Sequence, residues 1–147
     1  MNRMMLFAGF LLSLLLTAMA PARADDTCLA WLKKVDSKQT ELSRKELAEF
    51  FQGFRPACLD GEYGEWSNEL LFSVLSRQPG DFAEVLQLQD SAGRNRILAM
   101  LESPVNDGID LAAIHAKVVK SAKASPLKSR MVRALRVAAS KSGLRLD

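Results

Sequence analysis

Few residues in this 147-residue chain have the types and spacing that chemistry needs. The candidates are one histidine, His115, two cysteines, Cys28 and Cys58, a row of carboxylates at Glu62, Glu65 and Glu69, and the oxygen-rich run Asn106-Asp107-Gly108-Ile109-Asp110. Nucleophilic catalysis requires a base within hydrogen-bond reach of the nucleophile. His115 lies in Leu111-Ala112-Ala113-Ile114-His115-Ala116, just beside an apolar stripe, and reads as a partly buried or surface helix residue. Glu62, Glu65 and Glu69 follow one another at i, i+3 and i+7, which is first of all the solvated side of an amphipathic helix. As a carboxylate pair for glycoside cleavage they leave a cell-wall hydrolase only as a minor alternative. The Asn106 to Asp110 run lacks the alternating ligands and the distant Glu of a calcium loop and reads as a turn into a helix cap. With no phosphate loop, dinucleotide fingerprint, zinc spacing or Cys-x-x-Cys, the expectation is a protein that is not an enzyme, with no catalytic residues, cofactor or metal.

The cysteines have a simpler reading. They stand 30 positions apart and permit one intramolecular pairing. In an oxidising compartment that pair persists as a disulfide, worth on the order of 3.5 kcal/mol through the loop it closes.

Residues 1–24 supply the compartment. Arg3 gives a positive start, Met4 to Leu16 form an apolar core of about 13 residues, too short to span a bilayer, and Ala22-Arg23-Ala24 offers a cleavage site before Asp25. The reading is a signal peptide cut between Ala24 and Asp25, releasing one helical domain over 25–147 into the periplasm or medium. Asp25-Asp26-Thr27 before Cys28 does not resemble the small, apolar run ahead of a lipidated cysteine.

Without Arg3 and Arg23, the 20 basic residues become 18 against 17 acidic ones, so the mature chain is nearly neutral. Its charge is unevenly placed. Residues 25–69 carry a net of −4 and 70–114 a net of −3, whereas 115–147 carry +8.

The elements that must position these groups are helical, because apolar residues recur at spacings of three and four rather than two. A first helix is expected over Thr27 to Asp36. Ser43 and Glu46 have the spacing of a capping box ahead of Leu47, Phe50, Phe51 and Phe54. A third helix is expected over Tyr63 to Arg77. Pro79-Gly80-Asp81 reads as a turn, with Asp81 capping a fourth helix that carries Phe82, Val85, Leu86 and Leu88. A fifth is expected over Arg94 to Glu102 and a sixth over Asp110 to Ala122. The seventh starts at Ser125-Pro126, ends about Ser142, and is followed by Gly143. Seven short antiparallel helices with brief connections imply an all-α fold, either a compact bundle or a short stack of helical hairpins.

The unusual surface is the basic end. At 100° per residue, Arg130, Arg133, Arg136 and Lys141 share one side of the last helix, with Leu127, Met131, Leu135 and Ala138 on the other, and Lys117, Lys120 and Lys123 extend the charge onto the preceding helix. Solvation alone accounts for such a stripe as well as binding does. As a binding surface it fits an acidic face of another exported or envelope protein, in the manner of an inhibitor, immunity or assembly accessory factor. An envelope module that holds anionic lipid or glycan is the alternative. Nucleic acid is disfavoured, since no aromatic residue follows Phe82 to stack on bases.

Overall fold

The computed structural model describes residues 24–38, 41–121 and 124–146. Residues 1–23 of the proposed signal peptide, and Lys123, lie outside them. The described chain forms seven α-helices: α1 (Ala24–Asp36), α2 (Arg44–Gly53), α3 (Gly61–Arg77), α4 (Pro79–Gln87), α5 (Ser91–Leu101), α6 (Leu111–Lys120) and α7 (Pro126–Lys141). A single 3-10 turn over Pro56–Cys58 joins α2 to α3, and no strand occurs among the described residues. The all-α expectation is met, and the packing is that of a compact bundle.

Local chemistry sets most of the helix starts. Ser43 caps α2 through a reciprocal box: its hydroxyl accepts from the Glu46 N–H at 3.3 Å, and the Glu46 carboxylate accepts from the Ser43 N–H at 2.9 Å. Asp60, Asp90, Asp110 and Ser125 cap α3, α5, α6 and α7 by the same side-chain-to-backbone logic. At the far end of α7, Gly143 takes a φ of 74°. This lets the Leu144 N–H reach Ala139 O and the Gly143 N–H reach Ser140 O, the paired bonds of a Schellman ending.

Several starts differ from the sequence expectation: α1 begins at Ala24 rather than Thr27 and α3 at Gly61 rather than Tyr63. α4 begins at Pro79 rather than after Asp81, with Gln78 in the cap position. Proline is pre-organised for a first helical position. The Gln78 side chain turns away from the helix and pairs with both backbone groups of Leu42, donating to its carbonyl at 2.9 Å and accepting from its N–H at 2.6 Å. α5 begins at Ser91, three residues early, because Asp90 accepts from the Gly93 N–H at 2.6 Å. The end of α4 departs as well: Leu88, expected in the core, is 77% exposed at the α4–α5 turn.

One continuous apolar core draws on all seven helices. α4 is short and central, touching α2, α3, α6 and α7, with Phe82 and Leu86 fully buried. At the α1–α2 end the core is aromatic. Trp31 meets Phe54 edge-on at 5.0 Å, Phe54 meets Phe50 at 4.8 Å, and Phe51 meets Phe82 at 4.8 Å. The Trp31 ring lies so close over Gly53 that an added Cβ would stand 2.0 Å from it, so the contact needs glycine there. Cys28 and Cys58 are bonded to each other and buried, tying α1 to the 3-10 turn.

Candidate functional site

The α6–α7 hairpin is built from helices that bury one stripe each. Leu111, Ile114 and Val118 of α6, and Leu127, Met131, Ala134, Leu135, Ala138 and Ala139 of α7, face the core. Small residues at 134, 138 and 139 let α7 settle closely onto its neighbours α5 and α6. The charged positions are thereby pushed to the rim and the outer face.

The basic row of α7 divides in two. Along the edge toward α5, Arg130 donates to the Asn95 side-chain oxygen at 2.7 Å, and the Lys141 ammonium donates to Glu102 O at 2.8 Å and Ser103 Oγ at 3.0 Å. These two cations hold α7 to α5 and its following turn. Arg133 and Arg136 are exposed and form no hydrogen bond to a described residue. Along the edge toward α6, Lys128 donates to Val119 O at 2.7 Å.

Beneath that edge lies His115. It is 6% exposed, more deeply placed than the sequence implied, and its Nε2 has no partner among the described residues. Burial pushes its imidazole below the ordinary value, and the neighbouring Arg136 charge pushes it further in the same direction.

On the opposite side of α6, Lys117 donates to Ser76 O at 3.1 Å and to Ser76 Oγ at 3.0 Å. Lys120 is exposed one turn further on. Together with Arg77, Pro79 and Glu41 they border an open groove of about 880 Å³ where the end of α3, the start of α4 and the end of α6 meet. Sequence reasoning missed Arg77 because it lies in the net-acidic middle of the chain. Its one local sign is its place in the last turn of α3, where a cation complements the helix dipole.

Ion pairing contrasts with this. The ion pairs formed among the described residues are Lys34–Glu49 at 2.5 Å, Lys38–Glu46 at 2.8 Å and Arg44–Glu84 at 2.6 Å, all around α1, α2 and α4. Lys117, Lys120, Arg130, Arg133, Arg136 and Lys141 pair with no described carboxylate.

The carboxylate row takes separate positions along α3. Glu62, Glu65 and Glu69 are all exposed. Glu65 borders a groove of about 430 Å³ between α3 and α5, across from Arg96, whose guanidinium is held by Phe54 O at 2.7 Å. Glu69 accepts from the Asn106 amide at 2.8 Å and so steadies the α5–α6 turn. The Asn106 side-chain oxygen in turn accepts from the Gly108 N–H at 2.8 Å, as expected of a turn. Among the described residues no three His, Cys, Asp or Glu side chains are placed to hold a metal ion, and no helix is long and apolar enough to cross a membrane. No protein-family model matches the chain, and no curated protein or solved structure is found to be similar to it.

Proposed function

We propose that the mature chain is an exported, helical protein-binding module that engages an acidic face of another exported or envelope protein through the outer side of α6 and α7. The observation that carries this reading is the contrast in pairing: the exposed cations of this hairpin have no described carboxylate to meet, while cations around α2 do. From residue 111 to residue 146 the chain contains no Asp or Glu. Such a surface raises the rate at which an acidic partner arrives, and arginines gain most when they meet carboxylates in paired geometry.

Export is supported by the apolar Met4 to Leu16 stretch and by the buried disulfide, which an oxidising compartment preserves. A role as inhibitor, immunity factor or assembly accessory fits a small, stapled scaffold with one charged face. A membrane-lying mode is less well supported. The exposed large apolar residues Leu88, Val105, Val119 and Leu144 are scattered over four separate turns and helices, and no aromatic residue lies on α6 or α7.

In-cell crosslinking followed by affinity capture tests the reading, comparing the native chain with Arg130→Glu/Arg133→Glu/Arg136→Glu. A protein partner recovered by the native chain and lost from the folded variant is the expected result. Recovery of the same partner by both forms, or of anionic lipid or glycan in place of protein, overturns it.

A further inference from the structure

The groove between α3, α4 and α6 combines charge, shape and rigidity in a way that the rest of the basic surface does not. Its cations come from two helices: Arg77 from α3, and Lys117 and Lys120 from α6, with Glu41 the one carboxylate on the border. Its walls are fixed from within. Buried Gln78 clamps both backbone groups of Leu42, next to Glu41, and Arg77 donates to Lys38 O at 2.9 Å. Lys117 spends two of its three N–H donors on Ser76 and keeps a third, while Lys120 spends none on a described residue. The held groups, Gln78, Arg77 and Lys117, lose little freedom on binding, and Lys120 is the side chain that binding must order.

Resting on the protein-binding reading above, we propose that this groove seats an extended acidic segment of the partner, with carboxylates at alternate positions. The spacing argues for it. Lys117 and Lys120 stand at i and i+3, which puts their Cβ atoms about 5–6 Å apart. Alternate side chains on one side of an extended strand are about 6.5–7 Å apart, within the reach of two flexible lysine stems. An acidic-x-acidic pattern therefore gives each lysine its own carboxylate. Glu41 repels a third carboxylate on the far wall and leaves room there for a neutral or basic residue. The Pro79 ring offers an apolar surface for the strand to cross. Glu41 on the border favours a peptide, which can place a neutral or basic residue beside that carboxylate, over a uniformly anionic bilayer.

The test uses the mature chain and an acetylated Glu-Ser-Glu-Ser peptide as probe, with binding read by amide chemical shifts at low and moderate salt. Vesicles of phosphatidylglycerol are titrated in parallel. The expected shifts centre on Ser76, Lys117 and Lys120 and fade as salt screens the charges. Lys120→Glu, which disturbs no described hydrogen bond, weakens binding about tenfold, and adding Lys117→Glu abolishes it. Peptide shifts that centre on Arg133 and Arg136, or binding unchanged in the double variant, overturn the groove assignment while leaving the hairpin reading intact. An absence of peptide binding at low salt also overturns it. Vesicle binding without peptide binding removes both proposals.

Discussion

The two ends of the bundle are stabilised by different means. Around α1 and α2 the core is aromatic, a disulfide joins Cys28 to Cys58, and surface cations meet carboxylates. Around α6 and α7 the core is aliphatic and small, with Met131, Ala134, Ala138 and Ala139 fully buried, and exposed cations project without carboxylate partners among the described residues. One end concentrates packing energy and neutral electrostatics; the other packs closely and leaves its charge unspent. Substitutions should therefore sort by end. Those near α2 act on stability, and those on the outer hairpin act on recognition.

The largest expected effect is at the aromatic end. Phe54→Ala removes a buried ring that touches both Trp31 and Phe50, and a cost of about 3–5 kcal/mol is expected from urea denaturation. A cost below about 1 kcal/mol would mean that this end does not anchor the fold. Next comes the disulfide. Replacing Cys28 and Cys58 together by Ala should cost about 2–4 kcal/mol in the same assay, with the helical circular dichroism retained at low temperature.

The hairpin should show a pH dependence of its own. Because the folded imidazole of His115 is held below its ordinary value of 6.5, the unfolded chain binds the proton first as pH falls. His115 thus contributes stability that is present above 6.5 and is lost progressively as pH drops through that value toward the lowered folded one. His115→Gln, which cannot titrate, should lose less stability than the native protein between pH 7 and the acid limb. Equal losses in both proteins would show that the buried imidazole is not the source. The smallest expected effect on stability is that of Arg133→Glu/Arg136→Glu, under about 0.5 kcal/mol above pH 7, where His115 is neutral, since both side chains are exposed and neither forms a hydrogen bond or ion pair with a described residue.

The fold was legible where local chemistry decides it. The Ser43–Glu46 box, the Asp110 cap, the Ser125-Pro126 start and the Gly143 ending all act within a few residues, and each stands where its spacing placed it. The apolar stripe of α7 was equally clear, because a 3.6-residue period reports burial directly. What escaped was long-range. Gln78 is no ordinary cap residue, and its partner Leu42 lies 36 positions away, so the start of α4 was misplaced. Leu88 continues the period of α4 but falls past its end, where the chain turns outward.

The same division holds for the site. Residue type and spacing revealed the basic stripe but not its separation into cations that brace α5, Arg130 and Lys141, and cations left outward, Arg133 and Arg136. That separation depends on where Asn95, Glu102 and Ser103 fall in space. Arg77 entered the groove only through the packing of α3 against α6, which no local pattern encodes.

The most direct test of the central claim compares two charge reversals of equal size at the two ends, measured by calorimetry against the captured partner. Arg133→Glu/Arg136→Glu changes the outer hairpin, and Lys33→Glu/Lys45→Glu changes exposed positions on α1 and α2. The predicted result is loss of affinity by about tenfold or more for the hairpin variant and near-native affinity for the other. Equal losses in both would show that net charge, and not the hairpin face, governs recognition, and would contradict the account.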